Sequence, residues 1–101
     1  MKECCKDYLM EQFGDMDVSQ EIYNEYVASM KGKLGEAEAA LEAEAWTQLD
    51  RIVHAMKGNA LAAGDNAVAD VAIAIRSAAK LADAKECARL VAQLKELEKE
   101  L

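Results

Sequence analysis

The sequence predicts an all-α chain, an antiparallel up-down four-helix bundle with a short extra N-terminal helix. Three observations carry that expectation. There is no proline and there are only five glycines in 101 residues, so little interrupts a helix. Twenty alanines, with Glu, Lys and Leu, give the composition of helices packed closely on one another. Apolar residues recur at steps of three and four, the period of a helix with one buried face. A chain of this length holds a single modest core, and residues 1–101 are expected to form one domain.

Residues 4–13 suit a short first helix with Cys5, Tyr8, Leu9 and Phe13 on one side and Gly14 as its stop. Asp17, three residues before Gln20, reads as a capping-box-like start for the second helix. There Tyr23, Val27, Met30, Leu34, Ala37 and Leu41 form the inner stripe, widened by Ile22 and Tyr26. Gly32 and Gly35 weaken the middle of this helix and allow a kink. Its end is unmarked. Leu41, Ala45 and Leu49 stay in phase, and although a bundle needs a turn near 43–46, no residue type announces one.

A third helix, about 46–63, carries Trp46, Leu49, Ile52, Val53, Met56, Ala60 and Ala63 within an arc of about 120°. Gly64-Asp65-Asn66 is a stop followed by a polar restart. The fourth helix, about 66–81, buries Val68, Val71, Ala72, Ile75, Ala78 and Ala79. After a short break at Ala82-Asp83, a fifth helix, about 84–100, presents Cys87, Leu90, Val91, Leu94, Leu97 and Leu101 in the pattern of antiparallel bundles.

The net charge of −7 argues against nucleic-acid binding, which needs a basic surface. The acidic excess is local: residues 1–45 hold eleven acids and four bases, residues 46–101 eight of each. Three cysteines, two of them adjacent, make no disulfide framework, and Cys87 reads as a small core residue. Cys4 and Cys5 do not stand at metal-ligand spacing with His54, so no metal site is expected. Neither a signal peptide nor a membrane span is apparent, which points to the cytoplasm and to no membrane partner.

The chain has a single histidine, in His54-Ala55-Met56-Lys57-Gly58. Positions i, i+3 and i+4 share a helix face, so His54, Lys57 and Gly58 form one patch. His54 lies about 100° from Val53, on the shoulder of the buried stripe with Lys57 and Leu61, and is expected to be at least partly exposed. A glycine within an exposed helix costs roughly 1 kcal/mol relative to alanine. One reason to keep it is clearance for another protein.

With these residues the chain resembles the histidine-containing phosphotransfer (HPt) domain family. The family signature is His-x-Leu-Lys-Gly followed about six residues later by glycine; here it reads His54-Ala55-Met56-Lys57-Gly58, then Gly64. Met56 replaces the usual leucine, a swap that conserves volume. The order of helices agrees over nearly the whole chain, and the resemblance supplies the turn before Trp46 that periodicity leaves open.

The resemblance implies a phosphorelay intermediate and not an enzyme. His54 would accept a phosphoryl group from an aspartate on a response-regulator receiver domain and pass it to another receiver's aspartate. A hybrid sensor histidine kinase is a further conceivable partner. The chain itself would need no cofactor, with Mg²⁺ expected on the receiver, and a monomer is expected. Neutral imidazole is a good nitrogen nucleophile. Lys57 would put an ammonium near the phosphoryl oxygens, where positive charge favours transfer. The alternative is a helical module of the same shape that docks a receiver or kinase without being phosphorylated.

Arg76 enters by height. His54 lies ten residues before Gly64 and Arg76 twelve after it, so antiparallel helices bring them to similar levels. Where the family often has glutamine, Arg76 could clamp the phosphoryl oxygens with its fork of donors; the alternative is a solvated helix arginine. Asp50, one turn before His54, could accept a hydrogen bond from the imidazole or pair with Lys80, and the Lys80 pairing is favoured because a bare carboxylate would repel the phosphoryl group. Docking is expected around Leu61 and the exposed positions of the second helix, with Ile22 or Tyr26 within reach.

Overall fold

A computed structural model describes residues 1–101. Five helices form: α1 (Glu3–Phe13), α2 (Met16–Glu42), α3 (Trp46–Ala63), α4 (Asn66–Lys80) and α5 (Ala84–Glu98). α2 packs on α3 and α5, and α4 packs on the same two helices, while the backbones of the diagonal pairs stay apart. That closed ring, with short connections, is the antiparallel four-helix bundle expected, and α1 is the extra helix. No helix is long and apolar enough to cross a membrane.

The expected stripes become the core. Met30, Leu49, Val53, Met56, Val68, Ile75, Cys87 and Leu94 are fully buried. α3 and α4 form the most extensive pairing, and Ala60, Ala63, Ala69 and Ala72, all buried, let two backbones approach closely. α2 is one continuous helix through Gly32 and Gly35.

Three adjustments have local causes. The α2 cap is Asp15, not Asp17: its carboxylate accepts from the backbone N–H of Asp17 (2.8 Å) and Val18 (3.1 Å). Phe13, expected on the inner side of α1, is instead 52% exposed at the helix's last residue, one position before Gly14 turns the chain. Tyr26, expected at the edge of a stripe, is buried.

All three turns between bundle helices use one device. The Ala45, Asp65 and Asp83 N–H groups donate to the Ala40, Ala60 and Ala78 carbonyls, at 2.9, 2.8 and 3.0 Å, around a residue in the left-handed region. This is the Schellman arrangement. The left-handed residue is Gly64 (φ 75°) in one turn, but Glu44 (φ 53°) and Ala82 (φ 52°) in the others. In two of the turns the next residue, Asp65 or Asp83, then caps the following helix through its carboxylate.

Asp65 does more than cap. Fully buried, it accepts from Tyr26 Oη at 2.8 Å and pairs with Lys2 Nζ at 2.8 Å. Tyr23 Oη accepts from the Lys2 backbone N–H and donates to the Leu101 carbonyl, at 3.2 and 3.3 Å. One polar cluster thus ties both chain ends and α2 to the α3–α4 turn. Burial and the bond to Asp65 push the Tyr26 phenol well above its ordinary range. Burial first, then the Asp65 charge, pushes the Cys5 thiol up to about 12.

Candidate functional site

The site is assembled on the middle of α3. His54 is exposed, while Val53 and Met56 on either side of it are fully buried, so the helix holds the imidazole base rigidly and leaves the ring in solvent. Lys57 is half-buried one turn on. Gly58 is exposed, and a β-carbon built on it would meet nothing within 4 Å. Nothing inside the chain requires glycine there.

Gly64 differs. It combines the left-handed backbone with a contact to Tyr8, whose Cγ would stand 2.6 Å from an added β-carbon. The two glycines of the motif therefore have different grounds: Gly64 shapes the end of the helix, and Gly58 opens the face beside His54.

Across the seam, Arg76 Nε donates to Asp50 Oδ1 at 2.9 Å. Asp50 precedes His54 by one turn, so the guanidinium is tethered within about a turn of the imidazole. This contact replaces both partners expected for Asp50. Lys80 borders the same hollow as Asp50 but forms no ion pair with it, because the α3–α4 register sets Arg76, one turn earlier, against the carboxylate.

Two exposed apolar side chains flank this arrangement. Leu61, two turns beyond His54, is 47% exposed. Ile73 on α4, also 47% exposed, is one turn from Arg76 toward the α3–α4 turn, which the antiparallel register brings to about the level of His54. Ile73 was not among the docking positions expected; its signal in the sequence is a large apolar residue 100° off the buried stripe, beside Ala72. Tyr26 leaves that group, since its ring is buried and its hydroxyl is spent on Asp65. Ile22 is half-buried and lines an open groove of about 290 Å³ between α2 and α3, together with Ser29, Asn59 and Ala62.

The charges of this face are mixed toward positive. Arg51, Lys57, Arg76 and Lys80 lie on the outer side of α3 and α4, against Asp50 and Asp70, while the acidic excess belongs to α1 and α2. An exposed imidazole, with cationic groups within a turn and an open backbone beside it, can act as a nucleophile toward an anionic phosphoryl donor on a second protein.

No significant match was found among curated proteins or among solved structures. The family model of the Hpt domain matches residues 21–101, which takes in most of α2 and all of α3, α4 and α5 and leaves α1 outside. With four-fifths of its length matched and the motif histidine exposed on the third helix, the chain belongs to the Hpt domain family.

Proposed function

We propose that this chain is a phosphorelay intermediate in two-component signalling, with His54 as the residue that carries the phosphoryl group. Hpt domains are phosphocarriers, not classical enzymes; they interact with the receiver domains of response regulators. The observation that carries the assignment to His54 is the open helix face on which it stands, with Lys57 one turn on and a glycine whose missing side chain faces solvent.

In the transfer, a lone pair on an imidazole nitrogen attacks the phosphorus of an aspartyl phosphate on the receiver. The N–P bond forms as the P–O bond to the aspartyl carboxyl breaks, and the electron pair leaves on the aspartate carboxylate. The other ring nitrogen keeps its proton, so the phosphorylated ring is cationic and the total charge is conserved. The reverse sequence delivers the group to a second receiver. Lys57 and Arg76 place positive charge beside the equatorial oxygens during transfer and hold the phosphoryl oxygens of the phosphorylated ring afterwards. Gly58 lets the receiver's backbone approach. The Mg²⁺ that the reaction needs is assigned to the receiver.

Leu61 and Ile73 supply apolar area for docking, and the basic residues around His54 complement the acidic phosphorylation site of a receiver. The proposed setting is the cytoplasm, and the proposed working form a monomer. Incubation with a phosphorylated receiver tests the reading. Label should appear on this chain in an acid-labile, base-stable form and be absent from His54→Gln; label that persists in His54→Gln would refute it.

A further inference from the structure

We infer that Asp50 is a positioning residue for phosphoryl transfer: it anchors Arg76 through Nε so that the terminal amino groups of the guanidinium face the phosphoryl group on His54. The inference rests on the reading of His54 as the phosphorylated residue.

The contact is selective. Asp50 Oδ1 takes the Arg76 Nε–H at 2.9 Å, and neither terminal nitrogen of Arg76 is bonded to the carboxylate. An arginine has five N–H donors, so four remain for another acceptor. The bond joins two helices, and one end of it sits a single turn before His54 on the same face. A free arginine side chain would lose rotamer entropy on clamping an anion. Asp50 imposes part of that order beforehand.

Stability does not account for the pair. The two side chains are 26% and 29% exposed, and ion pairs near the surface contribute little to stability. Charge does give it a purpose. Alone, the Asp50 carboxylate would repel a phosphoryl group one turn away; with Arg76 against it, the local sum is neutral and Lys57 on the other side makes it positive. Lys80, next to the same hollow, leaves the carboxylate to Arg76.

The test loads the full chain with phosphoramidate, a small phosphodonor, and follows phosphohistidine by ³¹P NMR in wild type, Asp50→Ala, Arg76→Ala, the double variant and Asp50→Glu, with thermal unfolding of each. Asp50→Ala should shorten the phosphohistidine half-life about three- to tenfold, the scale of one charge-assisted contact. Arg76→Ala should shorten it at least as much, the double variant should match Arg76→Ala, and Asp50→Glu should recover part of the loss. A stability change alone would not yield that non-additivity or that rescue. If Arg76→Ala shortens the half-life and Asp50→Ala does not, the positioning role is wrong while the clamp stands. Losses that add in the double variant, or an unaltered Arg76→Ala, also overturn the proposal. Absence of phosphohistidine at position 54 in the wild type would instead overturn the underlying reading.

Discussion

Tyr8 of α1 rests directly on Gly64, at the turn between α3 and α4, and leaves no room for a side chain there. The motif glycine thus serves as the seat of a helix that lies outside the span matched by the family model. The same turn continues into Asp65, whose carboxylate holds Lys2 and Tyr26. The N-terminal segment thus meets the α3–α4 turn through Tyr8 on Gly64 and Lys2 on Asp65, while Cys5 and Leu9 of α1 are buried in the core.

Gly64→Ala should be strongly destabilising. Alanine in the left-handed region costs about 1–2 kcal/mol, and the collision with Tyr8 adds about 1–3 kcal/mol. A drop of about 2–5 kcal/mol in unfolding free energy, read from urea denaturation, is the expected result.

Gly58→Ala should have the opposite effect on stability and a cost in function. Nothing stands within 4 Å of the new methyl group, so the helix gains up to about 1 kcal/mol. Transfer from a phosphorylated receiver should fall more than loading from a small phosphodonor, because only the receiver needs the clearance. Equal effects on the two donors would show that Gly58 is not kept for docking.

Glu44→Gly and Ala82→Gly should each stabilise the chain by up to about 1 kcal/mol. Both residues hold a left-handed backbone that glycine adopts without strain, and the gain is limited by the greater freedom of glycine in the unfolded chain. Urea midpoints of the two single variants check this.

Alkali should weaken the fold. The Cys5 thiol, at about 12 against an ordinary 9.0, is raised by burial and then by Asp65; burial also raises Cys87 and Tyr26. These groups hold their protons in the folded chain where the unfolded chain releases them. Stability from Cys5 is therefore fully present below pH 9.0 and is lost as pH rises toward about 12. Unfolding free energy measured by urea titration should decline over that window, and Cys5→Ala should flatten the slope.

The bundle was legible because its buried stripes obey one period. Leu49, Val53, Met56 and Ala60 on α3, or Val68, Val71, Ile75 and Ala79 on α4, leave little choice of face. The turn before Trp46 was not legible because its left-handed residue is Glu44, and nothing in the type of that residue marks a stop. Gly64 could be read at once from the same turn geometry. The exposure of His54 followed from its angle to Val53. The Asp50–Arg76 bond did not follow, because helix heights known to a turn do not distinguish Arg76 from Lys80 as the partner. Nor did the buried role of Asp65, which in sequence is only a cap before Asn66; contacts with Lys2 and Tyr26, 63 and 39 residues away, belong to the tertiary fold.

The most direct measurement is the intact mass of the chain after exposure to a phosphorylated receiver, compared with that of His54→Gln. One phosphoryl group should be added to the wild type and lost after brief acid treatment, and none should be added to the variant. An unmodified wild type with several receivers, or equal modification of the variant, would contradict it.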